Sequence, residues 1–163
     1  MNVDPRAFRN ALGAFATGVV IVTARTPKGV DVGMTASSFN SVSLDPPMVL
    51  WSLGRLSTHF EAFRQARYFV IHVLGEDQQE LSTRFAAKGI DRFSGLEFNR
   101  REDGTALLEG CAARFECRNA YQYAGGDHLI MVGEVLHFEH RQAPPLIFHG
   151  GRYLQSAISS VVS

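Results

Sequence analysis

The sequence predicts a mainly β protein, an antiparallel barrel with helices at its periphery, and three observations carry that expectation. Six or seven short segments rich in Val, Ile, Phe and Tyr are separated by turn residues. Two or three segments read as helices, but they do not alternate with strands as βαβ units would, which disfavours a doubly wound parallel sheet. Internal repeats, linkers and low-complexity stretches are missing, and 163 residues suit one domain with a single core. That domain is expected to span residues 1–163, with its core at about 5–154 and a Ser/Val tail at 155–163.

Taken in order, Asp4-Pro5 offers an N-cap acceptor and a proline at the first helical position. Phe8, Leu12, Phe15 and Ala16 recur at helical spacing, and Gly18 is placed to close the helix. Val19–Ala24 reads as a strand buried on both faces. Thr26-Pro27-Lys28-Gly29 reads as a hairpin turn into a strand from Val30 to Met34. Asp45-Pro46-Pro47 is a corner, and Met48-Val49-Leu50-Trp51 after it suits a buried strand. Thr58 and Glu61 have capping-box spacing for a short helix to about Gln65. Tyr68–Leu74 reads as a strand, and a helix over about Glu76–Ala87 is expected to bury Leu81, Phe85 and Ala86 and to end at Gly89. Residues 91–110 are loop-rich, with turn points at Gly95 and Gly104. Ala112–Tyr123 and His128–Phe138 then read as long antiparallel strands, and Leu146–Phe148 as the last core strand.

Composition removes several classes of function. Hydrophobic residues make up 45% and charged residues 20%, a globular balance; sixteen basic and sixteen acidic side chains cancel, and no basic block marks a nucleic-acid face. No apolar run approaches the roughly 20 residues of a membrane span. Met1–Pro5 lacks a secretory signal's charged and apolar regions, so a cytoplasmic location is expected. Cys111 and Cys117 are read as lying on one strand, where roughly 20 Å of extended chain would keep them from pairing. His137-x-x-His140 supplies only two ligands at a strand end, so no metal is expected. Neither a Gly-x-Gly-x-x-Gly turn nor a Gly-Lys-Ser/Thr loop is present, so any nicotinamide nucleotide must bind in another way.

The stretch that carries chemistry is Gly33–Leu53. Thr35-Ala36-Ser37-Ser38 is a run of small residues where a flat ligand can approach the backbone and find amides and hydroxyls. Composition alone favours reading the same run as a polar edge strand with a surface turn.

The pattern Gly-x-Thr-x-Ser-Ser-Phe-x-Ser-x-Ser-x-x-Pro-Pro-x-Val over Gly33–Val49 resembles the signature of the short-chain flavin reductases, the FMN-binding split-barrel proteins. Further matches follow in order: Ser57-Thr58, Asp91-Arg92-Phe93-x-Gly95, Gly126-Asp127-His128, and Pro145–Tyr153 as the family's last strand. Together they run from about Phe8 to Tyr153.

The resemblance implies an antiparallel Greek-key split β-barrel and an NAD(P)H:flavin oxidoreductase that reduces FMN or FAD, with NADH or NADPH as hydride donor. Reduced flavin would go to a partner monooxygenase. Alternatives are a flavoprotein reducing another acceptor, such as a corrinoid cobalt centre or ferric chelate, and a flavin-binding protein without turnover. A homodimer is implied as well, with the pocket built partly from the second chain.

Site residues follow from the same matches. Thr35, Ala36, Ser37, Ser38, Ser52 and Leu53 would offer backbone and hydroxyl groups to the isoalloxazine, with Trp51 or Phe93 as apolar walls. Ser57 and Thr58 at a helix start, with the cation of Arg92, would hold the phosphate. His128 would orient the nicotinamide, and Tyr153 would stand near the pocket.

Overall fold

The computed structural model describes residues 3–155, so the Ser/Val tail from Ser156 lies outside the described residues. In chain order the elements are α1 (Pro5–Gly13), β1 (Thr17–Gly18), β2 (Val20–Arg25), β3 (Asp31–Ala36), β4 (Asn40–Leu44), β5 (Pro47–Gly54), α2 (Phe60–Gln65) and β6 (Tyr68–Val73). A 3₁₀ turn (Glu76–Gln78) then leads into α3 (Gln79–Ala86), β7 (Asn99–Arg100), β8 (Ala106–Leu107), β9 (Ala113–Gly125), β10 (His128–His140), β11 (Ile147–His149) and β12 (Arg152–Leu154).

Seven strands form one antiparallel sheet in the order β3-β2-β6-β9-β10-β5-β4. Its edges, β3 and β4, are consecutive in the chain and joined only by Ser37–Phe39, yet they do not pair. The sheet therefore curls until its two edges meet without closing. This is the split barrel that the sequence predicts.

Strand alternation sorts side chains into two layers. Inside the barrel, Val20, Val22, Trp51, Leu53, Phe69, Ile71 and Met131 form one buried cluster. Outside it, Val19, Ile21, Leu74, Phe85, Leu108 and Leu146 form a second, between the sheet and α3 with its following loop. Gly33 makes the outer layer possible: a Cβ there would stand 2.6 Å from Cε1 of Phe85, so α3 can rest on β3 only at a glycine.

Several expectations change at the element ends. The first helix is capped by Asp4, whose carboxylate accepts the Arg6 amide at 2.9 Å, but it ends at Gly13, and Gly18 belongs to β1. Its apolar face is not buried: Phe8 is 55% and Leu12 58% exposed, and Phe15, beyond the helix, is more exposed still. Thr58 caps nothing. Helix α2 starts at Phe60, two residues later, and Glu61 binds Arg64 and Gln65 instead of returning to a cap. Strand β5 is not buried throughout; Val49, Trp51 and Leu53 point inward while Met48, Leu50 and Ser52 stay half-exposed on the other face. In α3 the buried residues are Ser82 and Phe85; Ala86 is exposed, and the helix ends before Gly89. Cys111 precedes β9 rather than sharing it with Cys117, and both thiols are free. The hairpin at Gly29 and the long β9–β10 pair stand as expected.

Candidate functional site

A cleft opens where β1, the end of β3, the end of α1 and the β11–β12 turn converge. Its larger part, about 680 Å³, is lined by residues including Arg9, Gly13, Phe15, Thr17, Ser37, Phe148 and Gly151. A smaller part, about 240 Å³, is lined by Val19, Thr35, Ala36, Ser37, Ala86, Phe148 and Tyr153. Ser37 and Phe148 border both, so the two are compartments of one depression. The volume falls in the range of small-molecule sites, roughly 300–1,000 Å³.

The banks have distinct chemistry. Thr35 donates its hydroxyl proton to the carbonyl of Ser82 at 2.6 Å, which leaves its oxygen lone pairs as acceptors. Ser37, Ser38 and Phe39 lie between strands, and among the described residues their amides donate to no backbone carbonyl. The Thr17 hydroxyl is buried without a partner. On the facing side Tyr153 packs edge-on to Phe148, with ring centroids 5.4 Å apart, and its phenol lies 2.8 Å from the Ser82 hydroxyl. Small side chains on one bank, rings on the other and unsatisfied polar groups between them fit a planar heteroaromatic ring with acceptors on its edge.

Ser38 and Ser52 meet elsewhere. Ser38 Oγ accepts the Ser52 amide at 2.9 Å, standing in for the strand partner that β5 lacks beyond the start of β4. That amide is thus not free for a ligand. Leu53 is fully buried in the barrel, and because strand amides alternate in direction its own points to β10. Trp51 is also fully buried inside the barrel, so it cannot wall an outer pocket.

A second, smaller pocket of about 200 Å³ gathers Gly33, His59, Arg92 and Phe93. Arg92 is held by carbonyls: Nε and Nη2 donate to Ala87 O and Nη1 to Gly33 O, which leaves two of a guanidinium's five N–H groups. Burial first, then the charge of Arg92, lowers the pKa of His59. Phe93 packs edge-on against Phe85 and Phe98. Ser57 lies two residues before His59, its Oγ accepting the His59 amide at 3.2 Å.

His128 opens β10 opposite Gly54, and a Cβ at Gly54 would lie 3.6 Å from its Nε2, so the ring covers a glycine. Its Nδ1 lies 2.7 Å from Asp127 Oδ1, a bond that lowers the Asp127 pKa. An ionised carboxylate accepts from Nδ1–H, so in the neutral ring Nε2 is an exposed acceptor. His128, Ser57, Thr58 and Arg92 line neither compartment of the cleft. The chain therefore brings Thr35, Ala36, Ser37 and Tyr153 together, and sets Arg92 with Phe93 and His128 apart from them. Among the described residues no group of three or more His, Cys, Asp or Glu could hold a metal.

The chain matches the model of the flavin reductase like domain over residues 12–157. It belongs to that family. It is 52% identical over 150 residues to the FMN reductase (NADH) SmoA of Agrobacterium fabrum, covering 92% of this chain and 85% of that protein. It is 37% identical over 152 residues to the reductase subunit HsaB of a flavin-dependent monooxygenase from Rhodococcus jostii, covering 93% and 77%. The fold matches the NADH:FAD oxidoreductase SgcE6 of Streptomyces globisporus, solved with NAD and FAD fragments, with a TM-score of 0.89, 33% identity and coverage of 98% and 99%. It also matches a solved oxidoreductase of Sinorhizobium meliloti with a TM-score of 0.93 and 40% identity, over 97% of this chain but 55% of that longer one.

Sequence reasoning passed over Ser82, Thr17 and His59. A polar Ser82 three residues before Phe85, on the buried face of α3, was the available signal for the first.

Proposed function

We propose that this chain is an NAD(P)H:flavin oxidoreductase that uses NADH to reduce free FMN or FAD and supplies the product to a separate flavin-dependent monooxygenase. The cleft between Thr35–Ser37 and Tyr153 carries this reading, in a family whose named members include NADH-dependent flavin reductases. When bound, a flavin supplies the acceptor for the nicotinamide hydride at its N5. The chain supplies position. The free amide of Ser37 offers a donor to the ring edge, the lone pairs of Thr35 take an N–H, and Phe148 and Tyr153 exclude water from one side. Arg92, with two N–H groups left, attracts the phosphate, and His128 with its exposed Nε2 orients the nicotinamide carboxamide.

A homodimer belongs to the same proposal, because three sets of apolar side chains stand uncovered: Phe8 and Leu12 on α1, Tyr121 and Tyr123 on β9, and Val42 on β4. Arg92, His128 and the cleft are separate in one chain, and a second chain would complete the site. A cytoplasmic location accords with two free thiols and with no helix long and apolar enough to cross a membrane among the described residues.

Steady-state NADH oxidation with FMN varied tests the activity. Saturation in FMN as a true second substrate supports it, and no turnover with either FMN or FAD removes it. His128→Ala should slow NADH-driven flavin reduction by about 100-fold, as expected for loss of reactant alignment. Reduction of the same variant by dithionite should stay at the wild-type rate; slowing with both reductants would move His128 to flavin binding.

A further inference from the structure

Helix α3 lies outside the barrel, and its only fully buried polar side chain, Ser82, reaches both banks of the cleft. The backbone carbonyl of Ser82 accepts the Thr35 hydroxyl at 2.6 Å, and its side-chain hydroxyl lies 2.8 Å from the phenol of Tyr153. Thr35 and Tyr153 belong to strands of different sheets, β3 and β12, and α3 is the element that hydrogen-bonds to both.

The two contacts do different work. The carbonyl is fixed by the helix, and the helix is fixed to β3 by Phe85 over Gly33, so Thr35 has its proton direction set by a rigid reference. Its oxygen is thereby an acceptor toward the cleft. The Tyr153 and Phe148 rings meet edge to face, a contact that does not by itself fix the phenol oxygen and leaves it freedom to shift. The Ser82 hydroxyl removes that freedom, because it is buried and the bond holds the phenol end against α3.

We propose that Ser82 is a positioning residue for flavin reduction, setting the width of the slot by holding Tyr153 back on one bank while α3 holds Thr35 on the other. This rests on the cleft being the seat of the flavin and nicotinamide rings. Ser82 itself touches neither. Its part is to keep the Tyr153 ring out of the space a stacked nicotinamide needs.

Ser82→Ala removes the hydroxyl and keeps the carbonyl, so it releases Tyr153 alone. In that variant kcat/KM for NADH should fall about tenfold, the size of coupling expected between directly bonded side chains. FMN affinity and dithionite reduction should stay within twofold of wild type. Tyr153→Phe should show the same loss, and the double variant no more than either single one, since all three lack the same hydrogen bond. Ser82→Thr keeps a hydroxyl and should restore the rate.

Additive losses in the double variant, or wild-type kcat/KM in Ser82→Ala, overturn the proposal. A fall in FMN affinity equal to the fall in kcat/KM also overturns it, because a packing role would move both. Should Ser82→Ala not fold, wild-type kinetics in Tyr153→Phe would overturn the proposal alone. Ser37→Leu separates this proposal from the one beneath it. If that variant still binds FMN, the cleft is not the flavin site and both readings fall. If it excludes FMN while Ser82→Ala behaves as wild type, only the role of Ser82 falls.

Discussion

The inside of the barrel and the layer between the barrel and α3 are held together by different means. Inside, Trp51 packs edge-on to Phe63 and Phe69 at 5.1 and 6.1 Å, surrounded by Val, Leu, Ile and Met, and even its indole N–H has no partner. Outside, apolar packing is crossed by polar side chains that reach the backbone of distant segments. Thr23 donates to Ala106 O, His72 joins Ile21 O to the Leu108 amide, and Arg92 ties Gly33 O to Ala87 O. Volume defines the interior, whereas individual hydrogen bonds define the outer layer. The cleft sits on the outer layer, where one bond fixes one group.

Substitutions can break that contrast or sharpen it. Trp51→Ala should cost the most, about 3–5 kcal/mol, as for other buried aromatic truncations, while Trp51→Phe recovers much of it. Urea unfolding of the two variants measures this; equal losses would mean that the indole N–H, not ring volume, holds the interior.

Gly33→Ala probes the other layer. A Cβ 2.6 Å from Phe85 forces α3 away from β3, and the cost should be about 1–3 kcal/mol. Because α3 also holds Thr35, flavin affinity should fall with it. A stable variant with unchanged affinity would detach the helix from the site.

His72 tests the outer layer by pH. It is fully buried, and burial pushes its pKa down to about 3. Nδ1 donates to Ile21 O and Nε2 accepts from the Leu108 amide, so the neutral ring is the one that fits. The unfolded chain binds this proton at about 6.5, the folded chain only near 3, so the stabilisation is complete above pH 6.5 and drains away as pH falls toward 3. The slope should be about 1.4 kcal/mol per pH unit across that window. His72→Gln should unfold with a shallower slope by about one proton; an unchanged slope would place the acid sensitivity elsewhere.

Thr58→Ala should be the mildest change. Thr58 caps no helix, so the unfolding curve should shift by less than about 0.5 kcal/mol. A loss of about 1 kcal/mol or more would restore the capping role that its spacing implied.

The same contrast explains what could be read from the sequence. Strands β2, β6, β9 and β10 were legible because their inward residues are apolar at strand spacing, and burial follows from that pattern. The small residues Thr35–Ser37 and the aromatic Tyr153 were singled out through the family pattern they match, and they line one cleft. The Ser82 bonds were not. Nothing in a serine's own neighbourhood tells that its carbonyl meets a threonine 47 positions earlier and its hydroxyl a tyrosine 71 positions later. Thr58-x-x-Glu61 misled for the opposite reason: the spacing was right, but Arg64 and Gln65 on the same helix offered Glu61 closer partners.

Helix α1 has a consequence for hydrogen exchange. It buries no residue, and a backbone bond from the Gly150 amide to Gly13 O at 2.9 Å ties its C-terminal end to the β11–β12 turn. A nine-residue helix is too short to persist in water on its own propensity. In an isolated chain its amides should therefore trade protons with solvent long before those of β2 or β6, whose residues are buried on both faces. If a second chain covers Phe8 and Leu12, protection at α1 becomes a function of concentration: it should rise through the dimerisation range while the barrel strands stay constant. Amide exchange at α1 is thus a reporter of association.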